Sequence, residues 1–230
     1  MPEPDLNRQL GELMCRATLD ALWPTEAGSM GRRPPRLQCR VGSGQATYHR
    51  YSPGQRLHVI TYGVRMIAAK QNPETAMGWL STREIRNREY FDGELSTLNL
   101  LAHTCCHEFA HLLQQRAGRR THGSVHNRYF YDLLDQLHAD GRAGALRRHL
   151  ASRSSALGLP ALDTPFALPD NAELAGRWQV GDEVTFGEGP RQRQGRILRV
   201  NRKSCTVQGT GRSAGSRYRV PLPLLSPAAA

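Results

Sequence analysis

From Ser96 to Gln115 the stretch STLNLLAHTCCHEFAHLLQQ contains neither proline nor glycine, and within it lies His107-Glu108-Phe109-Ala110-His111. Ser96 is a fitting N-cap, and Leu98, Leu101, Ala102, Cys105, Phe109, Leu112 and Leu113 form a broad apolar surface, so the stretch reads as a long core helix. Residues four apart on a helix stand one above the other, which lets the imidazoles of His107 and His111 reach a single ion. Glu108 projects about 100° away, where it can serve as general base to a water on that ion without displacing it. Zinc suits imidazole donors in a tetrahedral site and polarises a carbonyl, so one zinc per chain and hydrolysis are expected.

The third ligand is less direct. No Glu occurs between Glu108 and Glu173, and Gln114 and Ala117 stand where a metzincin needs Gly and His. Asp132 and Asp135 fall on a helix expected over 125–138 with Tyr129, Phe130, Leu133, Leu134 and Leu137 inward, and both read as solvated. His122 and His126 remain. At this point the sequence resembles the SprT-like zinc metallopeptidases, a family that includes DNA-associated proteases. There HExxH is followed, after a dozen or so residues, by His-Gly-x-x-Phe opening the next helix. In HGSVHNRYF, His122-Gly123 copies the dipeptide, but the aromatic four residues on belongs to His126, which has Phe130. The resemblance implies His126 as third ligand, with Asn127 where the family usually has Gly and His122 as the alternative. It also implies a minimal zincin domain over residues 1–150 and peptidase activity with Glu108 as base. His103, four residues before His107, reads as a half-buried histidine or a donor to the ligand shell. Tyr129 and His122 are weighed as oxyanion partners against plain core or surface roles.

The surroundings fit an α/β (α+β) chain. Residues 5–22 form an amphipathic helix, TEAGSMGRRPPR a loop, and LQCRV, QATYHRY and RLHVITY short strands. A helix is expected within 73–90 and another near GALRRHLA. Residues 151–175, rich in Ser, Pro, Ala and Leu, read as a linker. Residues 176–223 then form a basic β module, with four short β segments separated by Gly, Asn and Ser turns. This pattern suggests a small SH3-like or KOW-like barrel.

Charge is concentrated in that module. The chain carries a formal +11, and between Gly176 and Pro221 ten Arg or Lys stand against three Asp or Glu. Arg191, Arg193, Arg196, Arg199, Arg202, Lys203, Arg212, Arg217 and Arg219 alternate with apolar residues at strand spacing. The alternation predicts guanidiniums outside and near one another, suited to the phosphates of DNA or RNA without base readout. The five cysteines are odd in number and widely spaced, with no C-x-x-C pair, so they read as reduced thiols rather than a zinc ribbon. The paired-cysteine ribbon of many SprT-like proteins is thus replaced here by the basic module. MPEPDLNRQL has no apolar h-region and no run suggests a membrane span, so a cytoplasmic location, with nucleoid or chromatin association, is expected. The expected function is zinc-dependent endopeptidase action on proteins associated with nucleic acid. The alternative is a nucleic-acid-binding or transcription-associated factor whose zinc is structural.

Overall fold

The computed structural model describes residues 5–28, 35–121, 123–187 and 189–228. Helix and strand are mixed in an α+β chain that divides into two units, Met1–Asn72 with Trp79–Phe166, and Pro73–Gly78 with Ala167–Ala230.

In the first unit, α1 (Leu6–Ala17) starts where the Asp5 carboxylate accepts from the Asn7 N–H at 3.0 Å. It buries Leu10, Leu13, Met14 and Ala17. A π-helical turn, Thr18–Leu22, follows. The wider turn shifts the buried stripe by one position, and Leu22 at its end is fully buried. Part of the expected loop is helical, since α2 (Trp23–Gly28) takes in Thr25–Gly28; residues 29–34 lie outside the described residues. β1 (Arg36–Gly42), β2 (Tyr48–Ser52) and β3 (Leu57–Gly63) form a sheet in the order β1-β3-β2. β1 runs parallel to β3, and β2 pairs with β3 as an antiparallel hairpin. α3 (Val64–Ala69) leaves the sheet; α4 (Pro73–Ala76) belongs to the second unit. α5 (Leu80–Arg88), α6 (Thr97–Arg116), α7 (Arg128–Ala139) and α8 (Arg142–Ala156) complete the first unit's helices.

α6 is the central element. Ser96 Oγ accepts from the Asn99 N–H at 3.1 Å, as the sequence predicts. The helix is buried nearly all round, from Leu98 to Gln114, because α5, α7, α8, β2 and β3 pack on it from different sides. Its polar residues are therefore enclosed by protein and must find partners there.

Lys70, just after α3, is 2 % exposed, and its Nζ donates to Ser81 Oγ at 2.5 Å and Thr104 Oγ1 at 2.7 Å. Burial pushes its pKa down from 10.5 to about 7, against the opposing pull of Glu84, Cys105 and Glu108. Above about pH 7 the unfolded chain therefore holds a proton here that the folded chain releases, and stability rises with pH. Buried thiols oppose this trend once unfolded cysteine begins to ionise, near pH 8.5. Lys70→Met is expected to be more stable than wild type at pH 7, with the gap closing by up to ~1.4 kcal/mol per pH unit between pH 7 and 8.5. Urea midpoints of both proteins over that range measure it, and a constant gap contradicts the assignment.

The second unit has α9 (Asn171–Gly176) and strands β4 (Glu183–Phe186), β5 (Arg193–Asn201), β6 (Ser204–Thr210), β7 (Arg217–Pro221) and β8 (Leu225–Pro227). All neighbours in the order β7-β6-β5-β4-β8 are antiparallel. Leu174, Val184, Ile197, Cys205, Val207, Val220 and Leu225 form its core, with Met77 and Trp178 packed alongside. Two boundaries differ from expectation. The residues expected as a linker over 151–175 are divided: α8 continues to Ala156, Leu162 O accepts from the Leu98 N–H at 2.7 Å within the first unit, and α9 belongs to the second. The β module also continues past 223, because β8 pairs with β4. Leu-Ser-Pro is too short to alternate, and its proline reads as a turn.

Candidate metal centre

His107 and His111 project from one face of α6, and His126 stands just before α7. The His126 Nε2 lies 3.1 Å from His107 Nε2 and 3.2 Å from His111 Nε2. Zinc–nitrogen bonds of about 2.0–2.1 Å in a tetrahedron set nitrogens roughly 3.3 Å apart, so this spacing fits one ion.

Proton placement makes the same point. The His107 Nδ1–H donates to Glu84 Oε2 at 3.0 Å, which leaves its Nε2 as a bare lone pair. The His111 Nδ1 faces Gln114 Oε1 at 3.4 Å, a long contact that favours the same tautomer. Burial first, and then the neighbouring His107, pushes the His111 pKa down to about 3; burial also lowers that of His126. Three imidazole nitrogens thus face one point, where a single N–H can relieve only one of the contacts. A cation relieves all of them. The cluster grades from buried His111 through half-buried His107 to exposed His126, so it is reached from solvent on one side.

Phe130 fixes the third histidine. It is fully buried, and its ring centroid lies 4.3–5.0 Å from those of all three imidazoles. Asn127 caps α7 by accepting from the Phe130 N–H at 3.0 Å. Gln114, completely buried, donates to Val125 O at 2.9 Å and Asn127 Oδ1 at 3.0 Å, tying the segment that carries His126 to the helix that carries His111. The alternative ligand, His122, lies outside the described residues.

Glu108 is 6 % exposed, and its Oε2 is buried without a hydrogen-bond partner. Burial raises its pKa, while His107, Arg120 and the His49 N–H pull the other way. A buried carboxylate oxygen with an open acceptor position, next in sequence to a ligand, suits a group that handles a proton. Arg120 stands nearby, donating to His49 Nδ1 at 3.0 Å and His49 O at 3.3 Å.

No family model, curated protein or solved structure matches this chain. What the site can do is therefore read from its chemistry.

His103 is fully buried, with its Nε2 2.9 Å from Glu84 Oε2; Glu84, His103 and His107 make a second group whose ligand atoms lie close enough together to hold an ion. Tyr129 is 38 % exposed, and Asp132 is on the solvent side of α7. Asp135, expected to be merely solvated, accepts from Arg88 Nη1, which lies 2.9 Å from both carboxylate oxygens, and from the Tyr90 hydroxyl at 2.5 Å. Cys105 and Cys106 are buried, and burial pushes the Cys105 thiol up to about 12. Sequence reading missed Glu84, Gln114 and Arg120. Gln114, three residues after His111, had a readable signal in that spacing. Glu84, in the polar run STREIRNRE, had none.

The nine predicted basic side chains are all exposed on the second unit. Register places Arg196, Gln208 and Arg217 in one cross-strand row, and Arg199, Thr206 and Arg219 in the next. Arginines on β5 and β7 are thus two strand spacings apart, roughly 10 Å, on either side of β6. A bulge between Ile197 and Arg199 lets Arg196 and Arg199 share the outer face. Arg191 lies on the turn before β5, Arg202 and Lys203 in the β5–β6 turn, and Arg212 in the turn before β7. Arg193 donates to the Tyr218 hydroxyl at 3.0 Å, Arg196 pairs with Glu183 at 2.8 Å, and Arg219 donates to Ser204 Oγ at 3.1 Å. Among the described residues no ion pair joins Arg199 or Arg217 to a carboxylate.

Proposed function

We propose that this chain is a zinc-dependent endopeptidase of the SprT-like, minimal-zincin kind, acting on proteins associated with nucleic acid. The observation that carries the reading is the convergence of three imidazole nitrogens, 3.1–3.2 Å apart at His126, beside the open acceptor of Glu108. His107, His111 and His126 would hold the ion. Bound there, zinc would supply Lewis acidity toward a scissile carbonyl and lower the pKa of water. Glu108 would take a proton from the attacking water and return it to the leaving amine. Its raised pKa favours both roles over that of an ordinary surface carboxylate. The solvent-exposed side at His126 supports a site that a polypeptide can enter, in contrast to a closed structural zinc.

The second unit is read as an SH3/KOW-like barrel. The order β7-β6-β5-β4-β8, with a short helical turn at Leu222–Leu224 before the last strand, supports that reading. Its two arginine rows would contact backbone phosphates and bring the peptidase to its substrates.

One assay tests both halves. The zinc-loaded full chain should cleave an unstructured polypeptide, stop when zinc is chelated, and cleave faster when the polypeptide is fixed to duplex DNA. That duplex advantage should disappear steeply with salt, because each neutralised phosphate contributes a slope of roughly 0.9 in log K against log salt. No cleavage of any substrate, free or on duplex, contradicts the peptidase reading. Cleavage indifferent to duplex removes the nucleic-acid half.

A further inference from the structure

Glu84 stands outside the HEFAH helix and outside the resemblance, yet it is buried against that helix. It is 4 % exposed, and one oxygen, Oε2, accepts from both His107 Nδ1 at 3.0 Å and His103 Nε2 at 2.9 Å.

The contacts continue away from the metal centre. Burial pushes the pKa of His103 down to about 4 and of His138 to about 3, so both are neutral. With its Nε2–H given to Glu84, the His103 Nδ1 accepts from His138 Nε2–H at 3.2 Å. His138 stacks on Tyr90, centroids 3.8 Å apart and planes within 6°, and the Tyr90 hydroxyl donates to Asp135. Asp135 is held in turn by Arg88. His107, whose Nδ1–H goes to the same Glu84 oxygen, has Nε2 unprotonated in its neutral form.

We propose that Glu84, backed by His103 and His138, is a positioning residue that fixes the tautomer and orientation of His107 and raises its basicity as a metal ligand. Carboxylates behind metal-bound histidines act in this way, and losing one typically weakens metal binding 10- to 100-fold. Two features make the assignment specific to Glu84. Both imidazoles use one oxygen, so the charge is directed at the ligand. The other oxygen, Oε1, is buried without a hydrogen-bond partner, and Glu84 also lines a cavity of about 690 Å³ with Arg83, Asn87, Arg88, Tyr131 and Asp135.

The inference rests on the metal-centre reading, and the test separates the two. Zinc affinity of the full chain is measured by competition with a chromophoric chelator for wild type, Glu84→Gln, Glu84→Ala and Arg83→Ala. The visible spectrum of each cobalt-loaded protein is recorded alongside. Glu84→Gln keeps size and an acceptor but loses charge; it should fold as wild type, bind zinc roughly 10-fold more weakly and show altered cobalt bands. Glu84→Ala should lose up to ~100-fold, while Arg83→Ala, which lines the same cavity but does not bond the histidines, should bind as wild type. If folded Glu84→Gln matches wild type in both affinity and cobalt spectrum, the positioning role is overturned and the metal centre stands. If wild type itself binds neither metal, both fail together.

Discussion

Glu108→Gln is expected to retain zinc at wild-type affinity and to lose hydrolysis by roughly 10³-fold or more. General base catalysis contributes about 10²–10⁴-fold, and the amide can neither accept the proton from water nor return it to the amine. Fold should be kept, because Glu108 Oε2 has no hydrogen-bond partner to lose, and Gln preserves both volume and the carbonyl acceptor facing the His49 N–H. Removing a buried, desolvated carboxylate also costs the folded state little, so the variant should melt at or above the wild-type temperature. Metal titration, melting and turnover measured on one preparation check the three statements together. Undiminished cleavage by the variant removes Glu108 as base, whichever residues hold the metal.

The second large effect concerns the third ligand. His126→Ala should abolish stoichiometric zinc binding at micromolar metal, with a loss on the order of 10³-fold. Closed structural zinc sites bind with ~10–16 kcal/mol over four ligands, so one imidazole of three here carries a share of roughly several kcal/mol. The variant should nonetheless fold, because His126 is exposed while Phe130 and the Asn127 cap hold α7 in place. His111→Ala should lose zinc equally but destabilise the apo-protein more, since His111 is buried against Phe130. Isothermal titration with zinc, together with melting of the metal-free proteins, distinguishes the two. Wild-type zinc affinity in His126→Ala contradicts the ligand assignment and returns attention to His122.

Much of this site was legible because its chemistry is local in sequence. The spacing of His107 and His111 on an uninterrupted helix is a geometric statement, and Phe130 four residues after His126 placed that histidine against the same helix. The partners behind the ligands were not legible. Glu84 meets His107 through the packing of α5 on α6, and nothing in a run of Arg, Asn and Glu distinguishes its one buried carboxylate from its solvated neighbours. Lys70 is a like case: a charged residue at a helix end reads as exposed until tertiary packing covers it. In the second unit the alternation of Arg with Val, Ile and Tyr was enough to place the outward face. The exchange of segments between units was not readable, since Pro73–Gly78 reaches its unit only through contacts such as Met77 on the second core and the Arg177–Glu74 pair at 2.7 Å.

The central claim is that three histidines, and no fourth protein group, hold one metal ion in a site that solvent can enter. X-ray absorption at the zinc edge of the singly loaded full chain tests it most directly. The account predicts a scattering shell of three imidazole nitrogens at roughly 2.0–2.1 Å, with oxygen completing the coordination, and loss of one imidazole in the residual signal of His126→Ala. A shell of four protein donors, a sulfur contribution, or an unchanged imidazole count in that variant would contradict it.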